Sequence, residues 1–139
     1  MLIPEHVLKR KGSTTTSGVP KEVRTLLDLG VIETVNLAEW LVVDQESLAR
    51  NLFQKENWGF LLKPLEESFG LLKIKTAPKK MEVLGMLLAQ GFPTKGQFEN
   101  ALRRLKEHRS DIVRSWACFM IGKRNGLSLQ ESLKRIQPL

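Results

Sequence analysis

The chain has 139 residues, with 22 Lys plus Arg against 15 Asp plus Glu, one Cys, two His and a formal charge of +7. That length suits a single domain, and so few Cys and His exclude a disulfide framework or a structural zinc cluster. With 42% hydrophobic residues and both charge signs interspersed, wholesale disorder is excluded too.

In chain order, the stretch Lys11-Gly-Ser-Thr-Thr-Thr-Ser-Gly18 has linker composition. Residues 1–18 are therefore expected to form a loosely held basic tail. Pro20 suits a first helical position, Val23, Leu26 and Leu27 follow at helical spacing, and Gly30 closes the segment. Asn36-Leu-Ala-Glu39 reads as a capping box. Leu37, Trp40, Leu41, Leu48 and Leu52 then predict one long helix over 37–54. A further helix is expected over 58–69, stopped by Gly70, with 71–76 as a loop. Thr76 and Pro78 open another to about Gln90, where Gly91 and Pro93 are stop signals. Together 19–93 form an N-terminal helical part.

Thr94-Lys-Gly-Gln97 is a second capping box, and opens a helix over 95–108 striped by Phe98, Ala101, Leu102 and Leu105. Ser110 caps a helix striped by Ile112, Val113, Trp116, Ala117, Met120 and Ile121, expected to break at Gly122–Gly126. Ser128-Leu-Gln-Glu131 opens a last helix over 129–137. No convincing strand pair exists, so the fold class is all-α.

The segments starting at Phe98 and Leu129 match, 31 residues apart, as apolar, two polar, small, Leu, two basic, aliphatic. A repeated helix pair cannot cover its own apolar face and must stack on the next pair. The first copy continues into a second helix at Ser110. The second stops after Ile136-Gln-Pro-Leu139, so the final helix is expected to lack its cover, as in an array truncated at the C-terminus. A protein partner or self-association through that helix would supply the cover.

Between the copies, Ser110-Asp-Ile-Val-Arg-Ser-Trp-Ala-Cys-Phe-Met-Ile-Gly122 resembles the second helix of a HEAT repeat: Asp111 opens it, Val113-Arg114 follow, Ala117 takes the tight packing position, and Ile121-Gly122 close it. With Val19-Pro20-Lys-Glu-Val23 and Gly30-Val-Ile-Glu-Thr-Val-Asn-Leu-Ala-Glu-Trp-Leu-Val-Val-Asp44, this block resembles the bacterial HEAT-like group of DNA alkylation repair proteins, over roughly residues 19–139. The resemblance implies an armadillo/HEAT-type α-solenoid with HEAT-like repeats over 94–139, the second incomplete. It also implies a basic concave face that accepts DNA, and in some members excision of alkylated purines. It assigns no catalytic residue here, because the acidic and aromatic groove positions of that group cannot be placed on this chain.

The charge distribution points the same way. Residues 1–20 carry a balance of +2, 21–93 of −1 and 94–139 of +6. Arg103, Arg104, Lys106 and Arg109, followed one repeat later by Lys134 and Arg135, form either a phosphate-facing ladder or a solvated helix face. Adjacent residues diverge by about 100° on a helix, so only one of each pair can face a given groove. Asp111 and Arg114 are expected to cap the helix and bridge to a neighbouring repeat, and a phosphate contact from Arg114 is the other reading.

His108, Ser110 and Asp111 suggest a triad only superficially, since sequence neighbours at a helix junction rarely make that geometry. Cys118 reads as a buried thiol. Trp40, Trp58 and Trp116 read as core, with base stacking the alternative. Asp44 interrupts an apolar run, as a groove carboxylate or a solvent-facing polar residue would.

No uncharged run approaches the ~18 residues of a membrane span, and the start lacks a secretory apolar core. The expectation is a cytoplasmic protein without metal or cofactor that binds DNA through its phosphate backbone. Whether it is an enzyme stays open. A non-enzymatic protein-interaction scaffold is the competing reading, and a helical domain binding acidic partners a third.

Overall fold

The computed structural model describes residues 2–72 and 76–125. Every element among them is helical: α1 (Glu5–Leu8), α2 (Lys21–Leu29), α3 (Leu37–Val42), α4 (Gln45–Lys55), α5 (Leu62–Leu72), α6 (Ala77–Gly91), α7 (Lys95–Lys106) and α8 (Asp111–Asn125), with 3-10 turns at Thr16–Gly18 and Gly59–Leu61. The expected helix at 129–137, and with it Lys134 and Arg135, lies outside the described residues.

Local chemistry accounts for most boundaries. Gly30 ends α2 in the left-handed region (φ 75°), where its N–H reaches Leu27 O at 3.0 Å and the Val31 N–H reaches Leu26 O at 3.3 Å. Those paired bonds make a Schellman cap, and glycine adopts the required φ without steric cost. Asn57 (φ 61°) plays the same part after α4, with the Trp58 N–H on Phe53 O at 2.7 Å. The Thr94 box forms both of its bonds: the Thr94 hydroxyl accepts from Gln97 N, and Gln97 Oε1 accepts from Thr94 N. The Asn36 box forms by half. Asn36 Oδ1 accepts from Glu39 N at 3.0 Å, but the Glu39 carboxylate turns to Val35 N and to Arg10.

Three expectations are corrected. The single helix over 37–54 is two helices, because Val43 and Asp44 are extended (ψ 128° and 94°) and Asp44 caps α4 through Ser47 N at 3.1 Å and Ser47 Oγ at 2.9 Å. The chain turns there, so Leu37 and Leu41 face solvent (67% and 48% exposed) rather than the core. Neither Gly70 nor Gly122 stops its helix; α5 runs to Leu72 and α8 to Asn125. An isolated glycine costs a helix only about 1 kcal/mol, which packing overrides.

The N-terminal tail is also not loose. Val7 belongs to the core at 1% exposed. Arg10 forks onto Glu39, Nε to Oε2 and Nη2 to Oε1, both at 2.7 Å, and also donates to Val7 O and Glu33 O. Residues 2–18 thus form a strap across α2 and α3, secured by a buried bidentate ion pair.

Alternate helices touch in succession: α2 packs on α4, α4 on α6 and α6 on α8, while α5 lies against α4 and α6, and α7 against α8. One continuous apolar cluster runs from Val7 to Met120, so the core crosses the sequence boundary at 93–94. Helices α6 and α8 approach closely at Gly85, where an added Cβ would sit 2.4 Å from Phe119 Cβ and 2.7 Å from the Phe119 carbonyl carbon. Deeper still, Trp116 is fully buried and its Nε1–H donates to Gln45 Oε1 at 3.0 Å. The Gln45 amide donates in turn to Ala77 O at 3.2 Å. A buried Gln between α4, α6 and α8 is tolerated because both ends of its amide are satisfied.

Candidate nucleic-acid interface

The basic residues of the last third are sorted by the path of α7 into α8. On α7, Arg103 is exposed and donates to Asn100 Oδ1 at 2.9 Å. Its neighbour Arg104 points about 100° away and pairs with Glu56, beyond the C-terminus of α4. So the two arginines do diverge, and Arg104 alone of the two lines a groove. Lys106 is half-buried and Arg109 exposed; neither is paired among the described residues.

Arg114 is committed elsewhere. Its Nη1 donates to His108 O at 2.8 Å and Arg109 O at 3.0 Å, and its Nη2 pairs with Glu33 at 3.2 Å. Asp111 receives the Thr34 N–H at 2.9 Å and the Thr34 hydroxyl at 2.6 Å. Together they tie the α7–α8 turn to the loop after α2. Arg114 thus spends both Nη atoms within the fold, with its side chain 32% exposed.

These ties create an open polar cleft of about 630 Å³ where the end of α4 meets the α7–α8 turn. Lys55 and Glu56 line it from the end of α4, Arg104, His108 and Arg109 from α7 and the turn after it, and Gly30 and Val31 from the end of α2. Glu107 also lines it, exposed to solvent. His108 Nδ1 accepts the Ser110 N–H at 3.0 Å, which assigns the ring proton of the neutral form to Nε2. Burial holds the imidazole below its ordinary pKa, and the cations of Lys55, Arg114 and Arg109 push the same way against Glu56.

No triad exists here: Ser110 Oγ caps α8 by accepting from Val113 N at 3.3 Å, and Asp111 serves Thr34. The other singled-out residues take structural places. Asp44 is a helix cap, not a groove carboxylate. Trp116 and Trp58 are core residues, Trp58 stacking edge-on to Phe92 at 5.0 Å, and Trp40 is half-buried against the same core. Cys118 is buried, which pushes its thiol pKa up.

Sequence reasoning missed Lys55, Glu56 and Gly30 as cleft residues. The nearest signal was Asn57, a residue type that tolerates the left-handed cap and so marks where α4 stops. Among the described residues, no group of acidic, His and Cys side chains could hold a metal ion, and no helix is long and apolar enough to cross a membrane. Compared with known proteins, the chain matches no family model, no curated protein and no solved structure.

Proposed function

We propose that this chain is a HEAT-like helical-repeat protein that binds DNA through backbone phosphates, with its basic last third as the contact surface, in the repair of alkylated bases. The reading is supported by one observation above all. Arg103, Arg104, Lys106 and Arg109 emerge from one helix and the turn that follows it, and Lys55 joins them from α4. The succession α2–α4–α6–α8, with α5 against α4 and α6 and α7 against α8, supports a helical-repeat reading.

Fluorescence anisotropy with a short duplex tests the reading. Affinity should fall steeply with salt, and Arg103→Ala with Lys106→Ala should flatten the log–log slope by about one for each phosphate no longer neutralised. Binding insensitive to salt, or none at low salt, overturns it. Catalysis is a separate question, answered by whether the chain releases methylated purine from DNA. Trp58 and Trp116 are too buried to stack on an extruded base, so an excising site would need other aromatics.

A scaffold role is favoured by a different feature. Val35, Leu37 and Leu41 present an exposed apolar surface on and beside α3, and such surfaces mark protein contacts. A protein partner captured equally with and without nuclease would distinguish that reading.

A further inference from the structure

The cleft has features that a general electrostatic surface lacks. Its cations come from two separate parts of the chain: Lys55 from α4, and Arg104 and Arg109 from α7 and the turn after it. Arg104 is already neutralised by Glu56. Lys55 and Arg109 carry no ion pair among the described residues, and Glu107 is the remaining countercharge, exposed where water screens it. His108 lines the same cleft, near enough to Lys55 and Arg109 to feel both charges, its tautomer set by the backbone N–H of Ser110.

That hydrogen bond leaves Nε2–H as a neutral donor. The ring packs over Gly30, where even an added Cβ would meet His108 Cε1 at 3.0 Å. The Cε1–Nε2 edge of the ring thus lies beside Gly30, where a larger residue would crowd it. Two flexible cations in one cleft with a neutral donor of fixed tautomer match the needs of a tetrahedral oxyanion, which takes charge from Lys and Arg and geometry from fixed N–H groups.

We propose that this cleft is a phosphate-binding site in which Lys55 and Arg109 supply charge and His108 Nε2–H supplies an oriented hydrogen bond. Assigning that phosphate to a DNA backbone rests on the reading above; the site itself does not. Glu56 and Arg104, paired with each other, line the same cleft, and Arg114 holds the turn through the His108 and Arg109 carbonyls.

The test uses the full chain and inorganic phosphate, followed by NMR at the His108 ring and the Gly30 amide. Phosphate should move both resonances saturably, and chloride at matched ionic strength should not. Lys55→Ala with Arg109→Ala should weaken the response by about ten-fold or more, equivalent to roughly 1.4 kcal/mol, and His108→Gln should weaken it too. Lys95→Ala, at the far end of α7, should leave it unchanged. Lys55 and Arg109 are exposed, so these variants should retain the wild-type melting curve.

No response to phosphate, or an equal one to chloride, overturns the site even if the duplex binds elsewhere. A duplex that moves the same resonances and competes with phosphate supports a backbone phosphate as the ligand. Phosphate shifts from a chain that binds no duplex support the site, overturn the DNA reading, and identify the ligand as a free phosphorylated molecule.

Discussion

His108 shows how one side chain is set by its surroundings. On the sequence it sits beside Ser110 and Asp111, an arrangement that invites a catalytic reading. In the fold all three are taken: Ser110 by its cap, Asp111 by Thr34, and His108 by the Ser110 amide. The consequence is a pH dependence. Burial holds the folded pKa of His108 below its ordinary value, with Lys55, Arg114 and Arg109 acting in the same sense. The unfolded chain takes up a proton near pH ~6.5, before the folded one does. The neutral ring's contribution is therefore complete above that pH and is lost as pH falls through it toward the folded pKa. Protonating Nδ1 would also set an N–H against the Ser110 N–H. Urea unfolding between pH 7.5 and 5.5 should show wild-type stability falling with acidification, and His108→Gln should flatten that fall; equal slopes would refute it.

At the scale of elements, α6 and α8 are joined where side chains are absent rather than where they interlock. Gly85 lets the helices approach until an added Cβ would lie 2.7 Å from one backbone atom of α8 and 2.8 Å from another, Met120 N. Backbone cannot rotate away as a side chain can. Gly85→Ala gains helix propensity of about 1 kcal/mol, yet it should be net destabilising, because overpacking a filled site costs about 1–3 kcal/mol and the obstruction here is the main chain. A lower urea midpoint at unchanged m-value would confirm this, and an increase would show that the helices part freely. Caps and stops divide along the same line. Thr94, Gln97, Gly30 and Ser110 act where their sequence context places them, because each bond closes within a few residues. Asp44 was a helix start concealed inside a periodic apolar run, and Asp44-x-x-Ser47 was its signal. The apolar period spanned the break because Trp40 of α3 and Leu48 of α4 both reach the core from their separate helices.

At the scale of the molecule, the strap over residues 2–18 decides how much of the chain is core. Its composition predicts looseness, but Arg10 carries a bidentate bond to a carboxylate that is 1% exposed. Removing one member of such a pair strands the other, at a cost of about 3–5 kcal/mol, whereas an apolar pair of similar volume can be neutral. Arg10→Ala should therefore destabilise strongly and open residues 2–18 to limited proteolysis. Arg10→Met with Glu39→Leu should recover part of the loss, the remainder reflecting the Val7 and Glu33 carbonyls left without their donor and the Val35 N–H left without its acceptor. An Arg10→Ala chain as stable and protease-resistant as wild type would show that the strap is held by Val7 alone.

The amino-acid sequence by itself determined the all-helical class, most helix starts, the Gly30 stop and the concentration of positive charge after residue 94. Each of these is a property of neighbours within one or two helical turns, or of simple composition. The tertiary structure alone decided which of those charges are available. It paired Arg104 with Glu56, committed Arg114 to the α7–α8 turn, and brought Lys55, Gly30 and His108 to one cleft. The reason is physical: a cap closes over three or four residues, whereas a cleft between residues 30, 55 and 108 exists only after buried apolar faces have fixed the helices against one another.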